Sequence, residues 1–100
     1  MDNLRETVRL TIEGYAGKAL NAHSYLTVSP DQSLFTVVAI GHIKGEHFTT
    51  TGLVVRLTGN TVVIEHDVND KPLVDALVQA GVSRGQIVLA YAGESAPEPV

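Results

Sequence analysis

The stretch Glu65-His66-Asp67-Val68-Asn69-Asp70 crowds three carboxyl groups and one imidazole into six residues at the end of an apolar run. A histidine beside carboxylates serves both acid–base catalysis and zinc coordination, because these side chains titrate or coordinate near neutral pH. A small hydrolytic or ligand-binding domain would bring His42, His66 and Asp67 together in a pocket at a sheet edge. The spacing gives that arrangement little support. His66 and Asp67 are neighbours in a predicted strand, so they point to opposite faces and cannot meet on one metal without a bulge. His42 and His47 flank a predicted flexible hairpin loop. Gly41-His42-Ile43-Lys44-Gly45 reads as a β-turn and not as a phosphate loop, since its lysine precedes the last glycine and no helix follows. No HExxH, nucleophile elbow or paired-cysteine signature occurs. No catalytic, metal or cofactor residue is therefore assigned, and His42, His66, Asp67 and Tyr91 stand as candidate pocket or partner-binding residues.

The elements that must position these residues follow from periodicity. Leu4, Val8, Ile12 and Tyr15 recur at helical spacing and predict an amphipathic helix from about Asn3 towards Leu20, ending near Tyr15 if Gly14 and Gly17 break it. His23 to Val28 reads as a strand, and Ser29-Pro30-Asp31-Gln32-Ser33 as a turn. The β-branched run Leu34 to Ile40 is a strand bounded by Gly41, and a longer strand covers His47 to Leu57. Thr58-Gly59-Asn60 then turns into Thr61 to Glu65, so these strands form an antiparallel meander.

The acidic stretch has a simpler use as the start of a helix. Leu73, Val74, Leu77 and Val78 are helically spaced, Asn69 or Asp70 can accept hydrogen bonds from the first turn, and Pro72 suits a first helical position. A helix over Lys71 to Ala80 is predicted, closed by Gly81 with Val82 as its apolar contact. Ser83 and Gln86 then resemble a capping box, and Ile87 to Tyr91 a last short strand. The result is an α+β fold: an antiparallel four- or five-stranded sheet with the N-terminal helix and a second helix packed on one face. The domain spans residues 1–92, and residues 93–100 form an acidic, proline-containing tail with nothing to bury, predicted to be disordered.

Composition narrows the function. A chain of 100 residues, 44% hydrophobic, forms one core. It has no cysteine, so neither a disulfide framework nor a thiolate metal site is possible. No apolar segment of signal or membrane length occurs, and a cytoplasmic protein is expected. Seven Lys and Arg against eleven Asp and Glu give a net charge of −4, with the basic residues scattered, which disfavours tight binding to DNA by this protein alone. The uncovered sheet face, with Thr50, Val54, Val63 and Glu65, is predicted to bury itself in a homodimer with Glu65 and Asp67 at the rim.

The segments Phe35 to Gly41, Thr51 to Leu57, Asn60 to Asp67 and Leu77 to Leu89, in that order after a helix, resemble the XisI family of fdxN element excision controlling factors. The strand end Ile64-x-His66-Asp67 and the Ala80-Gly81-Val82 segment before Ile87-Val88-Leu89 carry the resemblance most specifically. It implies a small α+β, non-enzymatic accessory factor that acts with a XisH-type partner in site-specific excision of a DNA element.

Overall fold

A computed structural model describes residues 3–96. Among the described residues the chain forms two α-helices and one six-stranded sheet: α1 Asn3–Glu13, β1 Gly17–Lys18, β2 Ala22–Val28, β3 Leu34–Ile43, β4 Glu46–Thr58, β5 Thr61–Asp67, α2 Leu73–Gln79 and β6 Ile87–Leu89. The strands lie in sequence order, and every neighbouring pair is antiparallel except β5 and β6, which are parallel. The predicted α+β fold is correct, with one strand more than the four or five expected and one departure from antiparallel order. The extra strand is the two-residue β1, too short for a periodicity to show. The departure is β6, which runs parallel to β5 and not antiparallel as expected, an arrangement that the crossover through α2 makes possible.

Both helices cover one face of the sheet. Val8 and Ile12 of α1 and Leu73 and Leu77 of α2 are fully buried against Phe35, Leu53, Val55, Val62 and Ile64. The core contains no buried polar or charged residue among those described. α1 stops at Glu13, short of Leu20, because the chain closes through Tyr15 N–H to Ile12 O at 2.8 Å and then takes φ 129° at Gly17. The Tyr15 hydroxyl donates to Lys71 O at 2.9 Å, tying the end of α1 to the approach to α2.

Gly41 does not bound β3, which runs on to Ile43. A Cβ at this buried position would lie 2.1 Å from Asn21 O and 2.7 Å from Ala22, so only glycine lets the chain before β2 pass this close. The loop after it is a tight turn, shorter than the Gly41 to Glu46 loop expected. Ile43 pairs with Glu46 across a two-residue turn, Lys44-Gly45, with φ 53° and 81°, as a type I′ hairpin requires.

Two β-bulges reset the strand faces. The β3–β4 ladder passes from Val37 opposite Leu53 to Val38 opposite Thr51, leaving Gly52 as an extra residue. The β4–β5 ladder passes from Val55 opposite Ile64 to Val54 opposite His66, leaving Glu65 as an extra residue. Directly paired residues share a face, so Thr50, opposite Ala39, moves to the helix side. Asp67, opposite the fully buried Leu53, moves there too. Strict alternation had placed both on the open face.

The start of α2 also differs from expectation. Its N-cap is Pro72, with no side-chain cap, and the Leu73 N–H is taken by Asp67, not by Asn69 or Asp70. At the other end Gly81, at φ 104°, closes the helix as predicted: Val82 N–H donates to Leu77 O and Gly81 N–H to Val78 O, both at 3.0 Å. The capping box at Ser83 does not form. Ser83 makes no side-chain cap bond, and the Gln86 amide donates instead to Asn60 O at 3.0 Å. β6 ends at Leu89, placing Tyr91 in the 3₁₀ turn Ala90–Ala92. Of the tail predicted over 93–100, Gly93 and Glu94 fold back: the Glu94 carboxylate accepts the Leu89 N–H at 2.8 Å. Residues 97–100 lie outside the described residues.

Two substitutions test this core. Leu77→Ala should cost about 2–5 kcal/mol through the cavity left under α2, read as a shift in urea midpoint at unchanged m-value. Gly41→Ala should yield little folded protein by circular dichroism, since its methyl would meet backbone that cannot move aside.

Candidate functional site

Asp67 sits where β5 ends, β4 bulges and α2 begins. Its carboxylate accepts three bonds: from Leu73 N–H at 2.7 Å, from Asn69 N–H at 3.0 Å and from the Asn69 amide at 2.8 Å. The bulged Gly52 supports the same turn, since its carbonyl accepts Val68 N–H at 3.1 Å and the Asn69 amide at 3.3 Å. A carboxylate satisfied in this way organises a turn, the part played by side chains at helix starts. Burial raises the Tyr15 phenol above its ordinary value, and the negative fields of Asp67 and Asp75 add to the effect. Tyr91 is raised by burial and by the same two carboxylates, with Glu94 adding and Arg84 opposing. Tyr15, Asp67, Asp75 and Tyr91 therefore lie near one another, a grouping invisible to spacing because the chain after α1, β5, α2 and the turn after β6 each contribute.

The open face of the sheet carries the histidines. His66 pairs with Val54, His23 with Ile40 and His42 with His47, all on the side away from the helices. The His66 Nε2–H donates to Thr51 O at 3.1 Å, and His23 lies against Tyr25 with ring centroids 4.5 Å apart. His42, His66 and Asp67 do not converge. His47 and Val54, which mark the two histidine positions on β4, are seven residues apart, on the order of 20 Å at about 3.3 Å per residue, and Asp67 is on the opposite face.

The rest of the open face joins Tyr25, Val38 and Thr51 in one row and Thr36, Val54 and His66 in another. Tyr25 and Ile40 are exposed by 48% and 39%. Of the predicted dimer face, Val54 is half-buried on this side, while Val63 is fully buried, flanked by Arg56 and Val88, and contributes no contact area. Glu65 turns to Arg56, with Oε2 2.7 Å from Nε. Thr50 is exposed on the helix side. On that side an open cleft of about 440 Å³ separates α1 from the β2–β3 turn, lined by Arg5, Glu6, Arg9, Val28 and Phe35. Spacing gave no hint of it beyond two arginines one helical turn apart.

Asp67→Ala should destabilise by about 1–3 kcal/mol, because three donors lose their acceptor, and chemical denaturation measures it. The tyrosine shifts set an alkaline limit. A folded-state pKa above the unfolded value means that the stability tied to the neutral phenol is intact below about pH 10 and lost as pH rises through the raised value. Tyr15→Phe should thus show a smaller fall in urea midpoint between pH 9 and pH 11 than the unsubstituted protein.

The family described as XisI protein matches residues 1–98. Among solved structures, a XisI-like protein from Anabaena variabilis ATCC 29413 superposes with a TM-score of 0.67 at 14% identity, covering 86% of this chain and 81% of that one. The fdxN element excision controlling factor XisI from the same organism superposes with a TM-score of 0.65 at 17% identity, covering 87% and 88%. No curated protein matches the chain. The two structures are alike in fold, and with a family match that runs from Met1 almost to the last residue, this chain belongs to the XisI family.

Proposed function

We propose that this chain is a non-enzymatic, cytoplasmic accessory factor in the control of DNA element excision, acting through protein contacts with a XisH-type partner and assembling as a homodimer on its open sheet face. Family membership carries this reading, together with its likeness to a structure described as an fdxN element excision controlling factor. The electrostatics favour protein over DNA as the direct contact. Net charge is −4. Arg9 is bonded to Glu6 and Glu13, Arg56 to Glu65 and Arg84 to Glu94, so phosphates would have to displace carboxylates already in place. The open face offers what protein interfaces use, an aromatic side chain and aliphatic residues among threonines and histidines. No helix of the described residues is long and apolar enough to cross a membrane.

Two measurements test this. The purified protein should bind duplex DNA no better than about 10⁻⁴ to 10⁻⁶ M at physiological salt, and a sequence-specific, salt-resistant shift in a gel assay would overturn it. Light scattering should show a dimer at micromolar concentration, and Val54→Asp should convert it to a folded monomer with an unchanged circular dichroism spectrum. A monomeric unsubstituted protein would rule out the homodimer.

A further inference from the structure

We propose that His42 and His47, at the tip of the β3–β4 hairpin, chelate one divalent transition-metal ion of the zinc, nickel or copper class. The two residues stand directly opposite each other in register. The His42 N–H donates to Asn21 O at 2.9 Å, away from β4, so His42 and His47 form a non-hydrogen-bonded pair. In such a pair the Cα atoms and side chains approach most closely. The ring centroids are 5.3 Å apart with planes at 69°. A tetrahedral metal about 2.0–2.1 Å from an imidazole nitrogen lies about 3.1–3.2 Å from that ring's centroid, so two rings on one ion have centroids about 5 Å apart. The observed separation matches that spacing.

The surroundings support the site. Both side chains are exposed, and neither ring has a hydrogen bond to another described residue, unlike His66, whose Nε2 is taken by Thr51. The two-residue Lys44-Gly45 turn fixes the register that sets the two residues opposite each other. Imidazole pairs select late first-row divalent ions over magnesium or calcium, which prefer oxygen. Among the described residues no group of three or more His, Cys, Asp or Glu could hold an ion. The pair therefore supplies two positions, and the others are open to water or to donors from a second molecule.

The test uses the untagged full chain titrated with zinc chloride by calorimetry, and with nickel chloride followed by amide NMR. One ion per chain is expected, with paramagnetic broadening centred on residues 42 and 47. His42→Asn and His47→Asn should each weaken binding about tenfold or more, because either change leaves a single ligand without the chelate effect. His23→Asn and His66→Asn should bind as the unsubstituted protein does. Circular dichroism confirms that each variant is folded. The absence of saturable one-to-one uptake, broadening centred elsewhere, or equal losses in all four variants would overturn the proposal.

Discussion

The single extra residue at Glu65 governs the second half of the molecule. Without this bulge, strict alternation would turn Asp67 to the open face, and Leu73 N–H at the start of α2 would lack its acceptor. α2 has only seven residues, far below the length at which a helix holds itself together in water. It exists because Asp67 takes its first N–H, Gly81 closes its last turn, and Leu73 and Leu77 are buried between. β6 depends on α2 in turn, since a parallel strand beside β5 can be reached only by a crossover. The companion bulge at Gly52 supplies the carbonyl that holds the same turn from the β4 side. One offset in register thus links the sheet, the short helix and the last strand.

Apolar periodicity was enough to read the elements that bury a continuous stripe. Val8 and Ile12, Leu73 and Leu77, and the β-branched runs of β3 to β5 announce themselves because burial repeats at 3.6 or 2 residues. The features it missed have no periodic signal. A bulge is one residue long, and Gly52 and Glu65 sit in runs that look like uninterrupted strand. Gly41 was read as a stop because a glycine in a strand pattern marks either an end or a close approach, and only the position of Asn21 decides between them. The acidic stretch was correctly read as the start of a helix, but the acceptor was placed two or three residues too late. Asp67 reaches back to the helix only because Glu65 bulges. The candidate site residues suffered most from the same cause, since each face assignment beyond a bulge inverts.

The two sides of the sheet differ in what they carry. The helix side holds the buried apolar cluster, with no side-chain polar atom left buried and unpartnered among the described residues. The open side holds all four histidines, Tyr25 and the exposed Ile40, residues that add little to burial but much to chemistry. The fold therefore rests on apolar positions and backbone bonds that many sequences can satisfy. Likeness in fold at 14% and 17% identity accords with that. Substitutions on the open side can accumulate with little effect on stability, because few of those side chains contribute to the core. On the proposed function, contacts to a partner or ligand should accordingly be sought in the rows Tyr25-Val38-Thr51, Thr36-Val54-His66 and His42-His47, not in the residues that make the chain fold.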